Sequence, residues 1–150
     1  MGEDDIIPEK EIFPISVNYD LSVESLVILG KYDQKSDDVT DKNFPTSRKG
    51  IVELEIILVP LKKVVFPEEA DKELDKIGLR SANLRELLTF GVKYPDIQRR
   101  YPAVVAPRQP VRYCRNGVAI LTGDDRERGL FLIGSEVELH EDCRFAAVSK

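Results

Sequence analysis

The chain predicts an α+β fold: a single domain with a mixed, mostly antiparallel sheet and short helices packed on one face. Three observations carry this. Phe13, Ile15, Val17 and Tyr19 alternate with polar or turn-prone neighbours, the period of a half-buried strand. Ala70, Leu74 and Ile77, and then Leu84, Leu87 and Leu88, recur instead at helical spacing. Beyond Pro110 the apolar runs shorten and are separated by turn residues, the pattern of small strands joined by tight loops.

Each element follows from local chemistry. After the strand ending near Tyr19, Ser22 can cap a short helix bearing Val23, Leu26, Val27 and Leu29, with Gly30 placed to end it. The polar stretch from Lys31 to Lys49 reads as a surface segment. In Ile51–Val59, Val52, Leu54, Ile56 and Leu58 make one apolar face. The other face starts with Glu53 and Glu55 and turns apolar at Ile57 and Val59. A strand wet at one end and buried at the other belongs inside a mixed sheet.

Pro67 suits a first helical turn, Glu68, Glu69 and Asp71 complement its dipole, and Gly78 can close it. A second helix is expected from Ser81 to Gly91, and a short turn between Pro95 and Pro102. Asn116-Gly117 predicts a hairpin between Val111–Arg115 and Val118–Leu121. Leu130–Ile133 and Arg144–Val148 are further strand candidates.

At 150 residues the chain suits one domain burying roughly 68–70% of its unfolded surface. Residues 1–10 read as a flexible acidic segment and 11–150 as the domain. The start Met1-Gly2-Glu3-Asp4-Asp5 has no apolar stretch and predicts no secretory signal. No run approaches the roughly 18 apolar residues of a membrane span. Two cysteines, Cys114 and Cys143, fit a reducing compartment, so a cytoplasmic location is expected.

The net charge of −5 hides a split. Lys76 to Arg115 carries nine basic residues against Glu86 and Asp96, while Met1 to Asp75 carries nine basic against eighteen acidic. The basic middle also holds Phe90, Tyr94, Tyr101 and Tyr113. Arginine supplies bidentate contacts to carboxylates and phosphates, and aromatics can stack on a ligand. Arg85, Arg99, Arg100, Tyr101, Arg108 and Arg112 are therefore the candidate binding residues. An acidic protein surface is the expected partner. The acidic whole and the lack of any nucleic-acid motif place nucleic acid behind it. The competing reading pairs these arginines with the acidic first half or leaves them on a solvated face.

Chemistry has less to stand on. His140, Cys143 and Cys114 are the only soft metal ligands, fewer than the four Cys or His of a structural zinc site. No phosphate-binding, zinc-protease or hydrolase signature occurs. The acidic stretch from Asp33 to Asp41 lacks the spacing of a calcium loop. No cofactor, metal or catalytic residue is expected.

One resemblance rests on Gly30-Lys31-Tyr32-Asp33, Phe44-Pro45, Val52-Glu53-Leu54-Glu55 and Gly78-Leu79-Arg80-Ser81-Ala82. It continues through Leu84-Arg85-Glu86-Leu87-Leu88, Phe90-Gly91, Tyr94-Pro95-Asp96 and Gln98-Arg99-Arg100-Tyr101-Pro102. In that order these residues resemble a set of uncharacterised bacterial proteins of candidate phyla, which read GLRPATLEELLAFG, YPELQREFPIVALGS and RFLAVRK. The resemblance runs from about Tyr19 to the carboxyl end. The chain departs from it at Ala106-Pro107-Arg108, where the others carry Leu-Gly-Ser. It implies no activity and transfers no catalytic residue. A fainter likeness, in the LRELL helix and closing Arg-Phe-x-Ala-Val strand, is to bacterial C-type-lectin-like domains.

The sequence therefore predicts a non-enzymatic protein-interaction module with a basic central face. One alternative is a lectin-like or small-ligand-binding domain with a pocket among the loops after Ile120 and Ile133. Another is a metal or cysteine/histidine-dependent enzyme using Cys114, His140 and Cys143.

Overall fold

A computed structural model describes residues 10–109, 111–112 and 116–150. In chain order the elements are β1 (Glu11–Asn18), α1 (Val23–Gly30), β2 (Gln34–Lys35), β3 (Ile51–Pro60), α2 (Pro67–Lys76) and β4 (Leu79–Ser81). Then come α3 (Leu84–Lys93), a 3-10 turn (Ile97–Arg100), β5 (Val104–Ala106), β6 (Val118–Gly123), β7 (Arg128–Ile133) and β8 (Arg144–Ser149). The fold is α+β with a mixed, mostly antiparallel eight-stranded sheet, ordered β1-β3-β8-β5-β6-β7-β2. Among the described residues only β5 against β8 and β2 against β7 run parallel. One edge of β8 is shared end to end: β5 pairs with Arg144 and Phe145, and β4 with Ala147 to Ser149.

The alternating pattern of β1 buries Ile15 and Val17, and β3 runs between β1 and β8 with its first half exposed and its second half buried. Its even face is less covered than its sequence suggests: Val52 is exposed and Leu54 half-buried, so burial begins at Ile56. From there both faces are apolar and both need cover. Ile56 and Leu58 join a core under α1 and α3; Ile57 and Val59 join a second core with Ala70 and Leu74 of α2. The α+β class holds, but the helices are not all on one face as expected: α1 and α3 share one face and α2 covers the other, because Ile57 and Val59 make that face apolar too. Burying a Leu or Phe side chain contributes about 1.5–3 kcal/mol, so Leu87, Leu88 and Phe90 of α3 anchor the first core.

Capping follows the predicted chemistry with small shifts. The Ser22 side chain accepts from the Ser25 amide at 3.0 Å. α1 ends with Lys31 in the left-handed region (φ 53°), so Gly30 lies within the last turn. Gly78 follows α2 at φ +80°, where a glycine is least strained. The second helix does not begin at Ser81. Leu79–Ser81 pairs with β8, and Asn83 caps α3, accepting from the Glu86 amide at 2.9 Å while Glu86 returns a bond to the Asn83 amide at 2.8 Å. That reciprocal box fixes the start of α3 three residues later.

β5, three residues between Pro102 and Pro107, and the two-residue β2 were not expected. The hairpin partner of Val118–Leu121 is β5, with Val104 opposite Leu121 and Ala106 opposite Ala119. Of the expected Val111–Arg115 strand, Val111 and Arg112 are not extended into a ladder, and Tyr113, Cys114 and Arg115 lie outside the described residues. Residues 1–9 of the expected flexible segment lie outside them too. Among the described residues, no helix is long and apolar enough to cross a membrane.

Candidate functional site

α1 and α3 lie side by side with their amino ends at the same end of the sheet, and charge is arranged to suit both dipoles. At the amino end, Asp41 Oδ1 accepts from the Val23 amide of α1 at 2.8 Å and from the Arg85 guanidinium at 2.6 Å. Glu86, fully buried, accepts both Arg80 nitrogens at 2.9 Å and the Tyr19 hydroxyl at 3.2 Å. At the carboxyl end, the buried Arg128 side chain donates to Gly91 O at 2.9 Å, Pro95 O at 2.8 Å, Gln98 Oε1 at 3.0 Å and Gly30 O. One guanidinium therefore serves the last turns of two helices. Arg128 lies outside the basic stretch and carries no motif, so only the fold reveals it.

The six predicted binding residues divide between these two ends. β1, β5, β6 and β8 fix the division, since their registers place Glu11, Val104, Gly123 and Arg144 at one end and Asn18, Ala106, Val118 and Ser149 at the other. Arg99, Arg100 and Tyr101 sit at the carboxyl end. Arg99 binds Asp96 at 3.1 Å and the Asp124 carbonyl; Arg100 approaches Glu11 at 3.8 Å. The Tyr101 hydroxyl donates to Glu11, and the Arg144 guanidinium stacks 4.4 Å from its ring centre. Burial and the Glu11 carboxylate raise the Tyr101 pKa above its ordinary value.

Arg85, Arg108 and Arg112 sit at the amino end. Arg85 is only 6% exposed, held by Asp41 and by the Phe44 carbonyl at 2.7 Å. Arg108 is exposed, with its guanidinium 3.4 Å from Asp71. Arg112 is exposed, and its amide donates to Asn43 O at 3.0 Å. Intramolecular pairing, the competing sequence reading, thus accounts for much of the basic middle.

The amino end gains two cations that the sequence reading assigned to the acidic half. Arg48 and Lys49 are exposed there, on the segment leading into β3. Arg48 gives its guanidinium to the Tyr19 hydroxyl at 3.2 Å and lies 5.5 Å from that ring's centre. Asn83 Nδ2 also donates to the Tyr19 hydroxyl, at 3.1 Å, so Arg48, Asn83, Tyr19, Glu86 and Arg80 form one network. Two adjoining cavities of about 290 and 420 Å³ open here, sharing Tyr19, Pro45, Thr46, Arg48 and Arg85 in their walls. Phe44, Ser47, Asn83, Leu84 and Gln109 complete the smaller one.

The other sequence candidates are placed as follows. Cys114 lies outside the described residues. His140 and Cys143 stand at the two ends of a turn closed by the Cys143 amide on the His140 carbonyl at 3.0 Å. His140 is exposed, Cys143 is buried, and burial pushes the Cys143 thiol pKa up. Among the described residues no group of three metal-ligating side chains converges. The loops after β6 and after β7 leave the sheet at opposite ends, because the two strands are antiparallel neighbours. A cavity of about 230 Å³ at the carboxyl end is walled by Tyr101, Asp124, Glu127 and Arg128 without the second loop.

No family model, curated protein or solved structure matches this chain.

Proposed function

We propose that the protein is a binding module that docks an acidic segment of another protein at the amino end of α1 and α3. The observation that carries this reading is the pair of exposed cations Arg48 and Lys49 in the walls of two cavities, with exposed Arg108 and Arg112 at the same end of the sheet. Of the acids at this end, Glu86 is engaged by Arg80, Asp41 by Arg85 and Asp71 by Arg108, while the exposed Asp20 in the wall of the larger cavity accepts from the Gly50 amide. The smaller cavity has Arg48 and Arg85 in its wall and no carboxylate, so an incoming carboxylate meets cations there, and the amino-terminal dipole of α3 adds to the attraction. The predicted residues Arg108 and Arg112 belong to this surface, Arg85 supports it from below, and Arg99, Arg100 and Tyr101 do not.

Fluorescence anisotropy with labelled acidic peptides bearing a free carboxyl end tests the reading. Binding at about 0.05 M salt that weakens several-fold at about 0.3 M is expected, since exposed charges are screened over a few ångströms there. The double variant Arg48→Glu/Arg108→Glu should lose the binding while circular dichroism stays unchanged. Absence of binding at low salt, or tighter capture of single-stranded DNA than of peptide, overturns it.

A further inference from the structure

We infer that the smaller cavity is a pocket for the carboxyl terminus of a peptide chain, taking its terminal carboxylate together with its last amide N–H. The inference rests on the proposed function above and names the ligand chemistry of that site. Its carrier is a pair of buried polar atoms without partners. Arg85 Nε and Gln109 Oε1 are both closed off from solvent and both unbonded among the described residues. Their residues are 6% and 8% exposed, and both line the cavity. Buried side-chain polar atoms nearly always find a partner. Here one donor and one acceptor are left over on two residues that line the same pocket.

The rest of each side chain is engaged, which holds the orphaned atoms in place. Arg85 spends its two terminal nitrogens on the Phe44 carbonyl and on Asp41, and Gln109 Nε2 donates to the Ala82 carbonyl at 2.8 Å. Arg85 Nε is thus left as a donor and Gln109 Oε1 as an acceptor. An isolated Asp or Glu side chain offers only acceptors. A chain terminus offers both within one residue, a carboxylate and its own amide N–H, and capture of such ends is a recurring mode of peptide recognition.

The surroundings agree. Arg48 stands exposed at the rim as the second cation, and Leu84 and Arg85 are the first two residues of α3, where the helix dipole favours a negative group. Phe44, Pro45 and Leu84 give the wall an apolar side. At about 290 Å³ the cavity lies at the small end of ligand pockets, a size for a terminal residue and not for a long segment. The preferred ligand is therefore a chain that ends in acidic residues followed by one apolar residue. Thr46, Ser47 and Arg48, exposed and outside any regular element, form the outer wall that must yield for the carboxylate to reach Arg85 Nε.

Ligand-side changes test this without disturbing the fold. Three labelled acidic pentapeptides, ending in Leu, Val or Phe, are titrated as free acids, as carboxyl-terminal amides and with the last amide nitrogen methylated. At least one free acid should bind about tenfold tighter than its amide, the worth of a charge-assisted hydrogen bond. Methylating the last amide should weaken it by about fivefold, the worth of a neutral one. Arg48→Ala should shrink the acid-over-amide preference. Acid and amide binding equally well overturns the inference and leaves the acidic-partner reading standing. Indifference to methylation overturns the pairing with Gln109, and no binding by any peptide at low salt overturns both.

Discussion

The hydroxyl of Tyr32 occupies the space in which a side chain at Gly91 would begin. A β-carbon on Gly91 falls 2.3 Å from the Tyr32 oxygen, and one on Gly30 falls 2.3 Å from Tyr32 Cε2. Two glycines, in the last turns of α1 and α3, therefore admit one ring between the helices. That ring lies 4.8 Å from the Arg128 guanidinium, which bonds the carbonyls of the same two glycines. Glycine, tyrosine and arginine form a single joint that locks the carboxyl ends of α1 and α3 together.

Gly91→Ala and Tyr32→Phe should be strongly coupled. Alanine in a helix gains up to about 1 kcal/mol over glycine, but the clash with the Tyr32 oxygen reverses that gain. Removing the oxygen relieves it, so the double variant should be more stable than the sum of the single effects by about 1–3 kcal/mol. Gly30→Ala is the control: its clash is with ring carbons that phenylalanine keeps. Urea unfolding of the four proteins of each cycle measures the difference. Additivity in the Gly91 cycle contradicts the geometry.

Tyr32→Phe alone should be neutral or stabilising at neutral pH. Among the described residues the buried Tyr32 hydroxyl makes no hydrogen bond of normal geometry, Arg128 acting on it through its charge and at most a weak contact, and an unsatisfied polar group costs about 1–3 kcal/mol. The ring, and with it the contact to Arg128, is preserved.

The same hydroxyl sets an alkaline limit. Burial raises the Tyr32 pKa from 10.0 to about 12, against the opposing pull of the Arg128 charge. The folded state then holds this proton more tightly than the unfolded one. Stability from this group is complete below pH 10 and is lost as pH rises toward 12. At about 1.4 kcal/mol per pH unit the loss approaches about 3 kcal/mol, and Tyr32→Phe should lack it. Unfolding midpoints at pH 9, 10.5 and 11.5 for both proteins show whether the curves diverge as stated.

Arg128→Met should be among the most damaging single changes. It removes donors from four acceptors, three of them buried, and leaves the Gly30 and Gly91 carbonyls unpaired at two helix ends and the Pro95 carbonyl just beyond α3. A loss of about 3–5 kcal/mol is expected. Arg128→Lys should recover little, because a compact ammonium cannot span a fork of four acceptors. Thermal and urea midpoints for both variants decide; a lysine variant near wild type would sink the account.

Asp41→Asn and Asp41→Ala should both destabilise, by about 2–4 kcal/mol, since each leaves the buried Arg85 guanidinium without a counter-charge. Alanine should be the worse, as it also frees the Val23 amide at the start of α1. The double change Asp41→Ala/Arg85→Met should recover part of the loss. Equal stability of wild type and Asp41→Ala contradicts the pairing.

Much of the fold is written in local chemistry. Alternation at Phe13 to Tyr19 fixed β1, the two-faced apolar end of Ile51–Val59 marked β3 as covered on both sides, and helix limits were set by the Ser22 capping bond, the fixed φ of Pro67 and the positive φ of Gly78, all of which depend only on neighbours. Local pattern failed where length or competition decided. β5 and β2 are too short to show a period, and Leu79–Ser81 is strand because β8 offers it an edge.

The site depended on long-range placement. Six basic or aromatic residues could be listed from the sequence, but their division between opposite ends of the sheet follows from strand directions that no local signal encodes. Arg48, thirty-two residues before Arg80, meets the same Tyr19–Glu86 network, and Arg128 reaches two helix ends from β7. Composition set the number of charges. Tertiary structure decided which of them are spent on each other and which face outward, because pairing depends on distances of a few ångströms that only the closed chain creates.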